Sequence, residues 1–455
     1  MKRLYPSFLE NIRTHSLILP HETVILGFSG GKDSVTLFLL LKELKKDIPF
    51  HFLAAYFNHG IREDAHAEEE WVRRFCESRE VELVTGSKNV IRFKQETGLN
   101  LEHAASLSRY RFFQEVSAKY KNAKVATAHT RSDLTETFFI KLFRGSGLQG
   151  LSAISSKKEN NLIRPLLLFT EVEILSFLQR NSIAYYQDPS NLDDGFLRNR
   201  IRHHLVPEIV KIEPGIDNHI FQTVSIIQQE YDFFSETANA ILGKHLILGK
   251  ILPIHILKEY HPAVQRHVIR EYIRLLKGNL LNIGFEHIEA VRMQGGGVRG
   301  LAIPGLQLKF HKGYVIPAGL SIPAYRYLVE APGEFEIKET RQKLHLQEID
   351  SFQKPCRNHE IIIPAGLTVF PLTVRSAQKK DKYIKINTSI KQKVYEMVRA
   401  SGMPSEMRNL CPVILNGDGQ IIWVVGSPVA DPFKVENKKD KRFLKITLLP
   451  FSNEQ

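Results

Sequence analysis

From Val24 to Gly147 the chain alternates between two hydrophobic periods. The run "TVILGFS" is apolar almost without a break, the pattern of a strand buried on both faces. It is followed by "SVTLFLLLKELKK", which has helical length and ends in lysines that suit the negative end of a helix dipole. The alternation then repeats. Strands are predicted in "FHFLAAYFNHG", "VELVTG" and "AKVATAHT", and helices in "DAHAEEEWVRRFCESRE", "NLEHAASLSRYRFFQEVSAKY" and "DLTETFFIKLFRGSG". Apolar strands alternating with helices imply an α/β domain with a doubly wound parallel sheet covered on both faces. In such sheets ligands bind beyond the carboxyl ends of the strands. The polar clusters of this chain lie at or just after those ends.

Further along, the period changes. The stretch from Asn161 to Ile209 closes the first domain, and from Ile216 to about Arg299 the pattern is mostly helical. From about Leu301 short strands dominate, interrupted by one helix in "SIKQKVYEMVRASG". The segment "PVILNGDGQIIWVVG" reads as a hairpin turning at Asn416, Gly417, Asp418 and Gly419. The organisation expected is an α/β catalytic domain over 1–215, a mainly helical domain over 216–315 and a C-terminal α+β domain over 316–455. A chain of 455 residues accommodates two to four domains.

Composition narrows the class. The chain is 43% hydrophobic and 24% charged, as soluble globular proteins are. No apolar run is long enough to span a bilayer, and "MKRLYPSFLENIRTHSLILP" lacks the features of a signal peptide, so a cytoplasmic location is expected. Cys76, Cys356 and Cys411 are scattered, which argues against a disulfide framework, a zinc ribbon or an iron–sulfur site. The charge adds a clue: 62 Lys and Arg against 49 Asp and Glu leave +13. Such an excess favours a polyanionic partner, although a merely solvated basic surface reads the same way. The basic runs "QKKDKYIKINTSIKQK" and "ENKKDKR" carry the same two readings.

The chemistry concentrates in the loop Ser29, Gly30, Gly31, Lys32, Asp33 and Ser34, directly after the first strand. Two glycines let the backbone approach a ligand, and the following helix offers free N–H groups and a positive dipole end, which together attract phosphate. The Walker spacing GxxxxGK[ST] is absent, as is GxGxxG. A carboxylate beside phosphate is repelled unless a divalent cation bridges them, so Asp33 implies Mg²⁺ held between it and the phosphates of ATP. A site that holds pyrophosphate in this way suits adenylyl transfer. The plainer alternative makes Asp33 or Ser34 an N-cap. A second cluster, His129, Asp133 and Glu136, follows the strand "AKVATA". Asp133 and Glu136 are three apart and share a helix face. They can serve as a second metal face, with Asp133 a Mg²⁺ ligand, or as the group that orients and deprotonates an amine. An ordinary capped helix with acidic first-turn residues is the alternative.

The string "SGGKDS" resembles the loop of the PP-loop ATP pyrophosphatases, enzymes that adenylate a carbonyl-type oxygen and then displace AMP. Within that superfamily the chain is similar, over nearly its whole length, to the long bacterial tRNA(Ile)-lysidine synthetases. The resemblance runs through "NHGIR", "SRYRFF", "AHTRSDLTETFFIKLFRGSGLQGL", "IRPLL", "DPSNLDDGFLRNRIR" and "VRASGMPSEMRNLCPVILNGDGQIIWVVG". It implies a PP-loop, Rossmann-like first domain and tRNA-binding domains after it. It also implies ligation of free L-lysine to carbon 2 of the wobble cytidine of a CAU-anticodon tRNA(Ile), with ATP converted to AMP and pyrophosphate. By this resemblance Arg109 stabilises charge at the phosphate or the activated base. Arg198, Asn199 and Arg202 face the substrate, and Arg144 shapes the same mouth. A homodimer is left open. The chain departs from the family pattern at Thr130 and Ser132. Competing readings are a PP-loop tRNA thiolation enzyme, which would need a cysteine pair or cluster, an ammonia-using synthetase, and a non-catalytic tRNA-binding relative.

Overall fold

The computed structural model describes residues 4–60, 65–98, 100–152, 154–158, 161–187, 194–294, 299–352, 359–388, 390–400, 403–436 and 442–449. Arg62, Cys356, residues 188–193 of the "DPSN" motif and most of "ENKKDKR" lie outside them. The chain divides into two compact units, Met1–Asp232 and Phe233–Gln455.

The first unit is the expected α/β domain. Its elements run α1 (Tyr5–Thr14), β1 (Thr23–Gly27), α2 (Lys32–Leu44), β2 (His51–Asn58), α3 (Ala65–Glu77), β3 (Leu83–Ser87), α4 (Val90–Thr97), α5 (Leu101–Ser117), β4 (Ala123–Ala126) and α6 (Arg131–Phe143). They continue with α7 (Leu148–Leu151), β5 (Lys157–Lys158), β6 (Leu162–Ile163), α8 (Glu171–Arg180), α9 (Leu197–Arg200), a π-helical turn (Ile201–Leu205), α10 (Val206–Ile212) and the part of α11 (Ile216–His245) up to Asp232. The strands form one sheet in the order β3-β2-β1-β4-β6-β5. All pairs are parallel except β5 with β6, an antiparallel edge.

Alternation along β1 shows why its residues are apolar throughout. Val24 and Leu26 pack into one core with Phe8, Phe38 and Leu41, whereas Ile25 packs into the opposite core with Leu53, Phe113 and Val125. Each face is covered by helices, so neither side of the strand can be polar. Helix α5 lies close to the sheet because Gly86 carries no side chain: a Cβ there would stand 2.4 Å from Phe112 Cε2. Helix α4 is an element that periodicity alone did not predict. Its cues are terminal, an Asn89 cap that accepts from the Arg92 amide at 3.0 Å and a left-handed Gly98 at the end.

The second unit joins helices α12 (Pro262–Lys277) and α13 (Phe285–Arg292) to three four-stranded antiparallel sheets. One core gathers Val268, Tyr272, Ile288 and Val315. Another gathers Leu344, Val374, Trp423 and Ile446. The expected hairpin is present: Pro412–Leu415 pairs antiparallel with Ile421–Val424, and the Gly419 amide donates to Asn416 across the turn. The helix expected over "SIKQKVYEMVRASG" starts later, at Val394. Lys391–Lys393 is instead drawn into a ribbon with Lys382–Ile384, since ladder hydrogen bonds outcompete the local helical preference.

Candidate active site

The sheet order reverses between β1 and β4, and this is where the crevice of an open α/β sheet opens. The chain leaves β1 into the SGGKDS loop and leaves β4 into the segment holding His129, Asp133 and Glu136. The two clusters seen separately in the sequence therefore flank one switch point.

The loop turns sharply as it leaves β1. Gly30 has φ +77°, a conformation costly for other residues. A Cβ there would also stand 3.1 Å from the Trp71 ring. Its carbonyl accepts from the Tyr186 amide at 2.9 Å, which ties the loop to the segment after α8. Gly31 is the N-cap of α2 and no side chain caps that helix, so neither Asp33 nor Ser34 does the capping. Ser34 donates to the Gly31 carbonyl at 3.0 Å, and Ser29 reaches Ser34 at 3.3 Å. The first amides of α2 are thus left free for a ligand. Lys32 bridges to Asp33 Oδ2 at 3.4 Å and to Glu171, in the first turn of α8, at 3.3 Å. Asp33 Oδ1 is buried and has no hydrogen-bond partner. Burial pushes the Asp33 carboxyl up to about 6, and the nearby Asp133 and Glu171 charges add to this while Lys32 opposes it.

The second cluster has the opposite character. Thr130 caps α6, and Asp133 Oδ2 returns to the Thr130 amide at 2.8 Å, a capping box. This gives Thr130, one of the two positions where the sequence departs from its family pattern, a structural role. The remaining oxygen of Asp133 accepts from Arg198 at 3.1 Å and from Arg202 at 3.5 Å. Glu136, 3% exposed, accepts from Arg198 Nε at 2.8 Å and from Arg202 Nε at 2.5 Å. Arg198 and Arg202 are four apart on α9 and the π-helical turn that follows, so both reach α6 from one face. Burial tends to raise the Asp133 carboxyl, but Arg198, His129, the Thr130 amide and Arg202 together hold it below its ordinary value. His129 touches the Thr127 hydroxyl at 2.9 Å. Burial, reinforced by the Arg164, Arg198 and Arg109 charges against the pull of Asp133, brings its ring down to about 4 and keeps it neutral at physiological pH. Asn199 is buried between the two arginines in sequence.

Not every expected residue joins this centre. Arg144 is exposed and follows the C-terminus of α6, roughly 16 Å along the helix axis from Asp133 at 1.5 Å per residue. Arg109, half-buried on α5, has Tyr110 and Arg198 as its electrostatic neighbours and no carboxylate among the described residues.

The Mg²⁺ that the loop implies can be tested against these groups. Among the described residues no set of three or more His, Cys, Asp or Glu side chains forms a metal cage. Mg²⁺ bound with nucleotide phosphates needs only one or two protein carboxylates. The buried, unpartnered Oδ1 of Asp33 fits that requirement, while Asp133 has both oxygens engaged.

A PP-loop domain family matches residues 4–209. The tRNA(Ile)-lysidine synthase of Geobacter sulfurreducens is 28% identical over 448 residues, covering 94% of this chain and 94% of that protein. The synthase of Geobacillus kaustophilus is 27% identical over 95% of this chain and 96% of its own length. That of Pseudothermotoga lettingae is 34% identical over 216 residues, 48% of each chain. Over nearly its whole length the chain is similar to tRNA(Ile)-lysidine synthases. Because its likeness to these synthases runs end to end, the second unit is part of the family likeness and not an unrelated addition.

Two residues of this site escaped a local reading of the sequence. Glu171 meets Lys32 from 139 positions away, a contact no spacing rule gives. Arg164 had a visible signal, a lone arginine between apolar runs at a strand end ("LIRPLLL"), where a charged side chain is expected to be buried. It is 8% exposed.

Proposed function

We propose that this chain ligates free L-lysine to carbon 2 of the wobble cytidine of a CAU-anticodon tRNA(Ile), converting ATP to AMP and pyrophosphate. The observation that carries this reading is the meeting, at one switch point, of a free PP-loop carrying an unpartnered buried carboxylate oxygen with an acid–arginine cluster. Its supports are the end-to-end likeness to lysidine synthases and the +13 charge, which suits a polynucleotide.

In the first step the cytosine oxygen attacks the α-phosphorus of ATP, an oxygen–phosphorus bond forms and pyrophosphate leaves. The loop amides, the α2 N-terminus and Lys32 hold the departing pyrophosphate. Asp33 would hold Mg²⁺, which supplies charge neutralisation at those phosphates. In the second step the lysine ε-nitrogen, as the free amine, attacks carbon 2, the carbon–oxygen bond breaks, AMP takes the electron pair and the proton of the nitrogen passes to the Glu136 carboxylate. Glu136 and Asp133 bind and orient the cationic ends of lysine, and Arg198 and Arg202 release them toward its carboxylate. His129, neutral, is an acceptor within the same wall. Arg109 serves the phosphate, and Arg144 belongs to the tRNA mouth. The domains 216–315 and 316–455 bind the body of the tRNA, the ribbon lysines among them.

Every residue named at the reacting centre lies in the first unit. Among the described residues no helix is long and apolar enough to cross a membrane. The reaction belongs in the cytoplasm, where its tRNA and ATP are. The test mixes the protein with ATP, Mg²⁺, radiolabelled lysine and an unmodified tRNA(Ile) transcript, with elongator tRNA(Met) as control. Alkali-stable label on tRNA(Ile) alone is the expected result, and absence of lysine transfer overturns the reading.

A further inference from the structure

We propose that Arg164 and Arg109 together form a two-guanidinium seat for the phosphate of the nucleoside monophosphate generated at this site. The identity of that product, AMP, rests on the reading above.

Ile163 of β6 pairs with Ala126 of β4, and the Thr127 amide donates to the Ile163 carbonyl at 3.0 Å. Arg164, the next residue, therefore stands at the carboxyl end of the sheet beside the segment that leads to His129. One of its nitrogens, Nη1, donates to the Ser155 carbonyl at 2.7 Å, while Nε is buried with no hydrogen bond. Tyr110 links the pair: the Arg109 guanidinium lies 5.7 Å from its ring centre, and Tyr110 is the electrostatic neighbour of Arg164, while both arginines bear on the His129 ring. Among the described residues neither arginine has a carboxylate as an electrostatic neighbour. Arg198 and Arg202, a few residues apart in the same site, hold two carboxylates each.

A guanidinium withdrawn from water without an anion is costly, and its planar fork matches phosphate oxygens. The anions of the reaction can be assigned by elimination. Pyrophosphate is served by the loop and the α2 N-terminus, and the lysine carboxylate by Arg198 and Arg202. The α-phosphate has no cation of its own until Arg109 and Arg164 are counted. Its charge also grows during the second step. It begins as a diester with one negative charge. When the carbon–oxygen bond breaks and AMP takes the electron pair, it becomes a monoester approaching two. Paired arginines favour that departure.

The experiment is a calorimetric titration of AMP, and separately of adenosine, into the full-length protein without tRNA or lysine. Arg164→Lys and Arg164→Ala are expected to weaken AMP at least tenfold and leave adenosine unchanged, with guanidinium ion restoring part of the Arg164→Ala loss. AMP affinity at the wild-type value in Arg164→Lys overturns the proposal. So does an equal loss of AMP and adenosine with a lowered thermal midpoint, which would make Arg164 a brace for the Ser155 segment. Arg164→Lys carries the test if Arg164→Ala does not fold. The lysine-transfer assay on wild-type protein reads the underlying function independently, so the two failures are distinguishable.

Discussion

Asp33 and the Asp133–Glu136 pair are acids of one crevice in opposite states. Asp33 is short of partners: one oxygen is orphaned, the other has a long 3.4 Å contact with its own neighbour Lys32, and burial lifts its carboxyl to about 6. Asp133 and Glu136 have no shortage, with Arg198, Arg202 and the Thr130 cap on every accessible oxygen. The difference teaches what each site awaits. A half-buried acid with one orphaned oxygen is completed by a cation that arrives with the substrate, such as the metal on ATP. An acid already paired is held in place in advance, and its ligand must exchange with the protein's own charges. A zwitterionic amino acid can do this, because it brings both signs.

The sharpest way to break this comparison is Asp33→Ala. Pyrophosphate release should fall by ~10³-fold or more, because the bridge to the phosphates is lost, while the circular dichroism spectrum stays native. Turnover near wild type would refute the metal bridge. Next comes Glu136→Gln, which leaves two arginines short of a buried charge. A loss of about 2 kcal/mol in stability is expected, with lysine transfer reduced far more than pyrophosphate release. An unchanged thermal midpoint with an unchanged lysine KM would mean that the cluster is not the preorganised element described here.

The two acids should also respond oppositely to pH. The Asp33 carboxyl is raised, so the ligand-free fold binds more protons than the unfolded chain between 3.8 and about 6, and loses stability as pH rises through that window. Asp33→Asn removes this slope and stabilises the ligand-free protein at pH 7 by on the order of 1 kcal/mol. The Asp133 carboxyl is depressed. Its contribution is full above the ordinary carboxylate value and disappears as pH falls through the depressed one, a limb that Asp133→Asn should flatten. Melting curves of the three proteins from pH 3 to 8 read both slopes, and superimposable profiles would contradict the contrast. The smallest effect belongs to Arg144→Ala. Stability should change by less than ~0.5 kcal/mol, and the salt dependence of tRNA binding should become shallower by about one counterion. Filter binding across salt concentrations measures it.

Much of the fold was legible because two-sided burial leaves a local record. Apolar runs such as "TVILG" and helical stripes such as "SVTLFLLLKEL" can be read without knowing their partners. The short α4 was missed because its signal sits in Asn89 and Gly98 and not in its periodicity. The delayed start of the helix at Val394 was missed because a ribbon partner captured Lys391–Lys393. The separate polar motifs, with Asp33 in one and Asp133 and Glu136 in another, were determined by the sequence alone. Only the tertiary structure decided that the acids of α6 are paired with those arginines, that Lys32 is held by Glu171, and that Arg164 stands buried without an acid. The reason is physical. Hydrophobic period and capping are properties of neighbours along the chain, whereas the energy of a buried charge depends on what stands opposite it, and only the packing of α9 against α6 brings positions 133 and 198 together.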